Sequence, residues 1–380
     1  MPVNILHLHS SFNLGGKEAR AIRLMNLFGD AARHTIVSGV PDQVGARDAI
    51  APGIRYEIAQ DPPPLTGRPS VARYEALARY MRRFDLVLTY NWGAIDGVMA
   101  RRVFAKDMPP LIHHEDGFNS DEARGLKTER NVYRRIALGA ADAQVVPSRN
   151  LEAIARRVWK QPADRVHRIV NGIPLERYQL TPQARAIPGF RRKPGEIVIG
   201  TIAGLREVKD LPMLVRAVGG VSARTRLVIA GEGPERAAIE QTARAMGMAD
   251  RVHLPGFLAD PARYVGLFDI FALSSKSEQF PISVVEAMAA GVPVAAPSVG
   301  DLATMVSAEN WPYIAKIAGE VELRNKIQLL ADDADLRAKV GQTNRAKALA
   351  EYDETRMVDA YARLYGAALG REAVFTSRIG

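Results

Sequence analysis

Short apolar runs alternate with longer amphipathic segments along almost the whole chain, and this alternation constrains the fold more than any other feature. Strands joined by helices need crossover connections, which form mostly parallel sheets. Ten strands would make one very wide sheet, so we predict an α/β fold with two doubly wound Rossmann-like domains. The predicted strands are Val3–Leu8, Thr35–Ser38, Leu86–Thr89, Leu111–His113, Ala143–Val146, Ile197–Ala203, Arg226–Ala230, Val252–Leu254, Ile270–Leu273 and Val294–Ala296.

The domain boundary is predicted where this alternation stops. After Asn171-Gly172-Ile173-Pro174 the chain is irregular and rich in proline and glycine, which is typical of a linker. We therefore place a first domain at residues 1–172, a linker at 173–194 and a second domain at 195–350. The remaining residues, 351–380, include a helix predicted over Met357–Leu369.

Composition limits the class of protein. The 380 residues are 47% hydrophobic and 24% charged, which is ordinary for a globular protein, and the absence of cysteine fits a reducing compartment. The N-terminus reads as a first strand, and no apolar run approaches the length of a membrane span. We expect a cytoplasmic protein that does not bind nucleic acid, because neither zinc spacing nor an aromatic-interleaved basic motif is present.

Two carboxylates eight positions apart, Glu278 and Glu286, carry the first chemical signal. A helix is predicted to begin at Pro281, which suits a first helical turn, and to stop at Gly291. Glu278 then precedes a helix N-terminus that favours a phosphate, and Glu286 lies more than a turn inside. Because carboxylates accept hydrogen bonds from hydroxyls, the pair predicts a sugar nucleotide with hydroxyls on both sides of a diphosphate.

Two cations follow the first strand of the second domain. Arg206 and Lys209 lie three apart after Gly204, where parallel sheets bind ligands outside the carboxyl ends of their strands. An arginine forks onto phosphate oxygens and a lysine adds a point charge, so the two can stabilise a diphosphate as Mg²⁺ would. A solvated charged loop is the alternative interpretation.

Other strand ends carry weaker signals. Paired glycines, Gly15 and Gly16, follow the first strand and would let the backbone approach a ligand, although they do not form a dinucleotide-binding motif. The segment Gly231-Glu232-Gly233-Pro234 predicts a tight turn, and the backbone of Leu254–Leu258 is placed to read a base edge.

The run Ile112–Phe118 contains two histidines and two carboxylates at a strand end in the first domain. Neighbours in an extended chain point to opposite faces, so they cannot all share one ion, and no second cluster has metal-ligand spacing. We therefore predict no metal, and we expect His114 or Asp116 to face a sugar hydroxyl, with His113 as a further candidate.

These segments together resemble retaining glycosyltransferases of the GT-B fold, family 4. The resemblance rests on Gly15–Glu18, Asn171–Pro174, Gly204–Asp210, Gly231–Pro234 and Glu278–Glu286, which follow the order of the family's motifs. It implies two domains that face each other across a cleft, a helix in 351–380 that crosses back to the first domain, and a nucleotide-diphosphate sugar as donor substrate, with neither a cofactor nor a metal.

The resemblance also implies roles for single residues. Arg206 and Lys209 would bind the donor diphosphate, Glu286 the ribose hydroxyls and Glu278 the donor sugar. Backbone groups from Phe280 to Ile282 would touch sugar and phosphate, and Gly16 would let its loop approach the diphosphate. Catalytic residues are thus expected among Arg206, Lys209, Glu278, Asp116 and His114, and donor-binding residues among Gly15, Gly16, Leu258, Phe280, Ile282 and Glu286.

The chain departs from the family pattern in two places. Gln279-Phe280-Pro281 replaces the usual glycine-rich loop, and Pro281 lacks an N–H. Asp116 stands before the glycine where the family carries histidine, and Asp210 replaces a glycine as a candidate helix N-cap. Two other functions stay open: a sugar-nucleotide 2-epimerase of the same architecture, and a scaffold that binds nucleotide without turnover.

Lysine and arginine exceed aspartate and glutamate by 51 − 42 = 9. The basic residues cluster in two groups, Arg130, Arg134, Arg135 and then Arg149, Arg156, Arg157, Lys160. Either a solvated helix face or contact with an anionic membrane surface explains them. The expected partners are therefore a nucleotide-sugar donor, a glycan or lipid-linked acceptor and, at the inner membrane face, anionic phospholipid.

Overall fold

The computed structural model describes residues 1–118, 122 and 125–375, which form two compact units. The first unit contains residues 1–118, 125–171 and 355–375, and the second contains residues 172–354. Each unit is a parallel sheet with helices, so the predicted α/β class with two Rossmann-like domains is confirmed. Residues 173–194, expected as a linker, are part of the second unit. The end of the predicted C-terminal segment, 376–380, lies outside the described residues.

The first unit is built on a seven-stranded parallel sheet with strand order β3-β2-β1-β4-β5-β6-β7. Its central strands are almost wholly buried, as expected of a parallel sheet covered on both faces. The strands are β1 Val3–His9, β2 Ala32–Ser38, β3 Tyr56–Ile58, β4 Leu86–Tyr90, β5 Leu111–His114, β6 Ala143–Val146 and β7 Val166–Arg168.

Helices cover both faces of this sheet. They are α1 Gly16–Phe28, α2 Val71–Met81, α3 Ile95–Val103, α4 Thr128–Leu138, α5 Arg149–Arg157 and, from the C-terminal segment, α12 Glu354–Ala368. The buried side chains of α12, which include Tyr361 and Tyr365, share one apolar cluster with Val3 and Ile5 of β1. The tyrosine stripe of this helix is therefore core packing of the first unit.

The second unit is built on a six-stranded parallel sheet with strand order β10-β9-β8-β11-β12-β13. The strands are β8 Ile197–Ile202, β9 Thr225–Ala230, β10 Val252–Gly256, β11 Ile270–Ala272, β12 Val294–Pro297 and β13 Ile314–Ala315. The helices are α6 Leu211–Gly219, α7 Arg236–Ala245, α8 Ile282–Ala289, α9 Leu302–Met305, α10 Glu320–Asp332 and α11 Ala334–Glu351. None of the helices in the described ranges is both long enough and apolar enough to cross a membrane.

The strands missing from the sequence prediction lie at sheet edges. β3, β7 and β13 are two or three residues long and end their sheets. An edge strand gains hydrogen bonds on one side only and needs little apolar sequence, so short ones leave a weak pattern. The ten predicted strands, and the helices predicted over Met357–Leu369 and from Pro281, lie within three residues of their predicted ends.

Candidate functional site

The centre of the second sheet is a topological switch point. β8 lies between β9 and β11, so the chain leaves β8 in one direction and β11 in the other. In sheets of this kind the loops at the carboxyl ends separate at the switch point and open a crevice that binds ligands. The candidate residues Arg206 and Lys209 follow β8, and Glu278 follows β11.

Glycines allow the loops after β8 and β9 to touch. The Ala203 N–H donates to the Ala230 carbonyl at 3.0 Å, and the Leu205 N–H to the Glu232 carbonyl at 2.9 Å. Gly231 has φ +150°, and a Cβ there would lie 1.9 Å from the Ala203 carbonyl oxygen. The predicted tight turn therefore exists because only glycine allows this backbone contact.

Lys209 and Glu278 meet at the switch point. The Lys209 Nζ lies 2.5 Å from the Glu278 Oε1, and the Ser275 hydroxyl donates to the same oxygen at 2.7 Å. Both side chains are largely buried, with 17% and 10% of their surface exposed. The Ser274 hydroxyl also donates to the Lys209 carbonyl at 2.8 Å, so the loops after β8 and β11 are joined around this ion pair. Lys209, predicted to bind the diphosphate, and Glu278, predicted to bind the sugar, thus lie side by side.

Arg206 is exposed, and among the described residues its guanidinium forms neither a hydrogen bond nor an ion pair. A long solvated guanidinium beside Lys209 is able to turn onto an anion without breaking an existing contact. Asp210 precedes α6 with a left-handed backbone, φ +46°, and its side chain does not cap the helix. The Asp210 Oδ2 lies 3.7 Å from the Lys276 Nζ instead, so Asp210 occupies the predicted N-cap position but its side chain does not cap the helix.

The loop between Glu278 and α8 is anchored by the side chain of Phe280. Phe280 is buried and meets Tyr352 edge to face, with ring centroids 5.6 Å apart. Pro281 occupies the N-cap position and α8 begins at Ile282, one residue later than predicted. The backbone N–H of Ile282 is consequently the first that α8 offers to a ligand at its positive end.

Glu286 lies on the fifth residue of α8 and is half-buried. The Tyr178 hydroxyl donates to its Oε1 at 3.0 Å. Burial raises the pKa of Glu286 to about 7, because a desolvated carboxyl disfavours its charged form, and the nearby charge of Asp260 acts in the same direction. The hydrogen bond from Tyr178 favours the carboxylate and opposes the shift.

Leu258 lies in the loop after β10, two residues before Asp260. Its carbonyl accepts a long hydrogen bond, 3.5 Å, from the buried Tyr264 hydroxyl. The next loop residues reach Asp260, whose Oδ2 lies 2.7 Å from the Arg177 Nη2. The backbone of Leu258 is therefore held in place, as a group that reads a base must be, although that role stays a prediction.

In the first unit the glycine pair begins α1. Gly15 is the N-cap and Gly16 the first helical residue, and both are exposed. Behind them Lys17 pairs with Glu18, which is buried, and burial raises the pKa of the Glu18 carboxyl. The structure thus presents two glycines at a helix N-terminus beside the carboxyl end of β1, as expected of a loop that approaches an anion.

Asp116 is held by a buried arginine. The Arg20 guanidinium forks onto both oxygens of Asp116, with Nη2–Oδ2 at 2.8 Å, and also donates to the Asn171 Oδ1 at 3.1 Å. The Asn91 side chain accepts from the Asp116 N–H at 2.7 Å. With 14% of its side chain exposed, Asp116 retains a solvent-facing edge, and its contact with a sugar stays a prediction.

His114 lies inside the core of the first unit. Its Nδ1 is 3.2 Å from the Thr89 carbonyl, its Nε2 is 2.8 Å from the Tyr365 hydroxyl, and it is 1% exposed. Both ring nitrogens are therefore engaged, which contradicts the prediction of His114 as a catalytic residue. His113 is equally buried, with its Nδ1 2.8 Å from the Thr89 hydroxyl.

One member of the first basic group is not on the surface. Arg134 is fully buried, and its guanidinium lies about 5 Å from the ring centres of Trp92, Phe118 and Trp159. Arg130 also lies over the Trp92 ring, at 5.1 Å. Because two guanidinium groups pack on Trp92, this ring is part of the packed side chains of the first unit.

The sequence prediction missed Tyr178, which touches Glu286 directly. It belongs to a 3₁₀ helix, Leu175–Gln179, in the segment expected as a linker. The available signal was an isolated tyrosine in a polar, proline-rich stretch, where no apolar periodicity requires an aromatic residue. That signal indicates a specific contact without naming the partner.

Two family models match successive parts of this chain. Residues 14–177 match the family model described as Glycosyltransferase Family 4, and residues 183–347 match Glycosyl transferases group 1. The chain therefore consists of two successive domains that match glycosyltransferase families.

Curated relatives are distant. The chain is 24% identical to N-acetyl-alpha-D-glucosaminyl L-malate synthase of Bacillus anthracis, over 45% of each protein. It is 25% identical to alpha-D-kanosaminyltransferase of Streptomyces kanamyceticus, over 55% of this chain and 56% of that protein. It is 26% identical to D-inositol 3-phosphate glycosyltransferase of Nocardia farcinica, over 59% and 53%. The chain thus spans about half the length of these relatives.

Solved structures share the fold over nearly the whole chain. Anabaena HepE in complex with UDP and glucose has a TM-score of 0.78 at 20% identity, covering 96% of this chain and 100% of that one. Sucrose-phosphate synthase from Thermosynechococcus elongatus also has a TM-score of 0.78 at 20% identity, covering 97% and 99%. The fold is that of the GT-B glycosyltransferases.

Proposed function

We propose that this protein is a glycosyltransferase that moves a hexose from a nucleotide-diphosphate sugar to an acceptor hydroxyl, with retention of configuration. The observation that carries the proposal is the meeting of Lys209 and Glu278 at the switch point of the second sheet, with Arg206 exposed beside Lys209. This arrangement sets cations for a diphosphate next to a carboxylate for a sugar. The UDP and glucose bound in HepE, which shares the fold, support the donor class.

The residues supply binding and charge stabilisation. Lys209 and Arg206 would hold the diphosphate and balance the charge that builds on it as the anomeric C–O bond breaks. Glu278 would accept hydrogen bonds from the donor sugar once Lys209 turns to phosphate. The acceptor hydroxyl would bond to the anomeric carbon on the same face, and its proton would pass to the leaving phosphate oxygen. No group on the protein needs to form a covalent bond, and no metal is needed.

Activity measurements on variants test this proposal. Thermal shifts with UDP, GDP and ADP, and then with their hexose conjugates, identify the donor. With that donor we expect Lys209→Ala and Glu286→Ala each to lower transfer about 10²–10³-fold while the fold survives, as for removal of one stabilising group. The matched control is Lys326→Ala on α10. Wild-type rates in both site variants would overturn the proposal.

Product analysis separates the two other functions. A 2-epimerase would convert the donor without an acceptor and release an isomeric or free sugar. A scaffold would bind nucleoside diphosphate and leave donor unchanged with every acceptor offered. A glycoside whose anomeric configuration matches that of the donor, formed only when an acceptor is present, would identify a retaining transferase.

We propose further that the acceptor is presented at an anionic membrane surface. Helix α4 exposes Val132 and Ile136, at 52% and 45%, on the same face as exposed Arg135. At the end of α4 the Arg165 Nη1 donates to the Gly139 carbonyl at 3.3 Å. Exposed aliphatic side chains with an arginine rim favour anionic headgroups.

Vesicle sedimentation tests the membrane contact. The protein should bind phosphatidylglycerol vesicles and not phosphatidylcholine vesicles, and Val132→Ser with Ile136→Ser should lower binding several-fold. The control pair Val321→Ser with Leu329→Ser removes exposed aliphatic groups from α10, where binding should not change. Equal binding to both lipids, or equal loss in both pairs, would count against this surface.

A further inference from the structure

The segment between the two predicted domains is fastened by an ion pair and hydrogen bonds to the residues that follow β10, near Glu286. Arg177 pairs with Asp260 at 2.7 Å, in the loop after β10. Six residues after Arg177, the Gln183 N–H donates to the Arg263 carbonyl at 2.8 Å, and the Arg263 guanidinium donates two hydrogen bonds to the Gln183 Oε1, at 2.9 and 2.7 Å. Residues 175–183 are therefore a fixed part of this region and do not behave as a free connection.

Within this fastened segment Tyr178 is aimed at the carboxyl of Glu286. Its side chain is 7% exposed, and its hydroxyl donates to the Oε1 at 3.0 Å. The Oε2 has no hydrogen-bond partner among the residues that the structure describes. One oxygen of the carboxylate is thus held by the protein, and the second is left to accept hydrogen bonds.

We propose that Tyr178 is a positioning residue of the donor site: its hydroxyl fixes one oxygen of Glu286 so that the other is presented to the vicinal hydroxyls of a nucleotide ribose. This inference rests on the proposed function, because it takes Glu286 as the group that binds ribose. Tyr178 does not touch the donor in this arrangement. It acts through the orientation and the ionisation of the carboxylate.

The ionisation follows from the groups that surround Glu286. Tyr178 donates a hydrogen bond to the carboxylate and favours it, whereas burial and the charge of Asp260 disfavour it, so that the pKa of Glu286 is raised to about 7. The charged and titratable groups near the carboxyl are Tyr178 and Arg177 from the 3₁₀ helix and Asp260 and Tyr264 from the loop after β10. Helix α11 packs on α8 and presents Arg345 near Gly291, beyond the other end of the helix.

Nucleotide affinity should depend on the ionisation of Glu286. A carboxylate accepts hydrogen bonds from both ribose hydroxyls, so nucleotide affinity should rise as the pH increases through the pKa of Glu286. Tyr178→Phe removes a hydrogen bond that favours the carboxylate, and the pKa should therefore move up by about one unit. At pH 7 the affinity should fall at least about five-fold, and above pH 9 the loss should shrink to the part that comes from the orientation of the carboxylate.

Calorimetric titration of the full chain with UDP from pH 6 to 9.5 tests this, with GDP and ADP as further probes. Glu286→Gln supplies the reference, because it does not titrate and leaves only the titration of the nucleotide itself. Tyr313→Phe is the matched control, a buried tyrosine in the core of the same unit. A loss in Tyr178→Phe that becomes smaller at alkaline pH supports the proposal, and an equal loss at every pH or no loss overturns it.

A ligand-free measurement separates this inference from the proposed function. The ¹³C shifts of labelled glutamate carboxyls, assigned with Glu286→Gln, should show Glu286 titrating near pH 7 and about one unit higher in Tyr178→Phe. An unchanged midpoint overturns the role of Tyr178 whether or not a nucleotide binds. If wild type binds none of the three nucleotides, the donor assignment fails and the inference fails with it.

Discussion

The two units have the same sheet order around their switch points, but they differ in the exposure of the charged side chains at the carboxyl edge of the sheet. In the first unit the charged groups near the carboxyl edge neutralise one another in buried contacts, as Arg20 does with Asp116 and Asn171. In the second unit Lys209 and Glu278 also form a largely buried pair, but the guanidinium of Arg206, three residues before Lys209, is exposed. The same topology thus carries buried polar contacts in the first unit and an exposed cation in the second, where we propose that an anion binds.

The two units also differ in their buried histidines. Five of the seven histidines, His7, His9, His34, His113 and His114, are buried in the first unit. The His7 Nε2 lies 2.9 Å from the His34 Nδ1, and His9 stacks on Tyr90 with ring centroids 4.0 Å apart. Neutral imidazoles fit such a site, whereas protonated ones would be desolvated and would repel one another.

The largest effect should come from a buried arginine in the first unit. Arg20→Met leaves Asp116 with an uncompensated charge, and we expect a loss of about 3–5 kcal/mol of unfolding free energy. The matched change Arg206→Met in the second unit should alter stability by less than about 0.5 kcal/mol, since Arg206 is exposed. Urea unfolding measures both. Equal losses would remove the distinction between the two units.

Acid should weaken the first unit before the second. Burial lowers the pKa of His7, His9, His34 and His114, for His34 to about 4. A base with a lowered folded pKa contributes stability that is present above its unfolded pKa of about 6.5 and is lost as the pH falls toward its folded pKa. The loss should therefore appear between about pH 6.5 and 4.

Hydrogen exchange resolved by peptide measures this acid effect unit by unit. On going from pH 7.5 to 5, with rates corrected for intrinsic exchange, peptides of β1 and β2 should lose protection more than peptides of β8 and β9. Replacement of His34 by glutamine should reduce that loss, because a titrating group is removed. Matching losses in all four strands would show that the histidines do not set the acid sensitivity.

The smallest effect concerns helix caps. The Ser148 hydroxyl in the first unit accepts from the Leu151 N–H at 3.0 Å, so Ser148→Ala should cost about 1 kcal/mol. Asp210 in the second unit stands at a helix start without capping it and has φ +46°. Asp210→Gly should therefore keep or slightly raise the melting temperature, since glycine adopts this backbone without strain. A comparable fall in both variants would show that Asp210 does cap α6.

The sequence predicted the α/β architecture and the positions of Arg206, Lys209 and Glu278 at one edge of the second sheet because the relevant signals are local. A buried parallel strand must be apolar along its length, as β4 and β6 are, and a residue that follows such a strand must lie at the carboxyl edge. Arg206 and Lys209 were placed by that rule, and Glu278 was placed by the helix predicted to begin at Pro281. The edge strands β3, β7 and β13 carry too few residues for any local pattern to find them.

Only the tertiary structure decided which polar side chains are free to act. His114 and Asp116 are two residues apart in one polar run, yet one has both ring nitrogens engaged in the core and the other pairs with an arginine 96 positions away. Tyr178 reaches a carboxylate 108 positions further along the chain. Burial and hydrogen bonding depend on which segments pack together, and that packing is a property of the whole fold. The sequence therefore determined where the chemistry lies, and the fold determined which groups remain available for it.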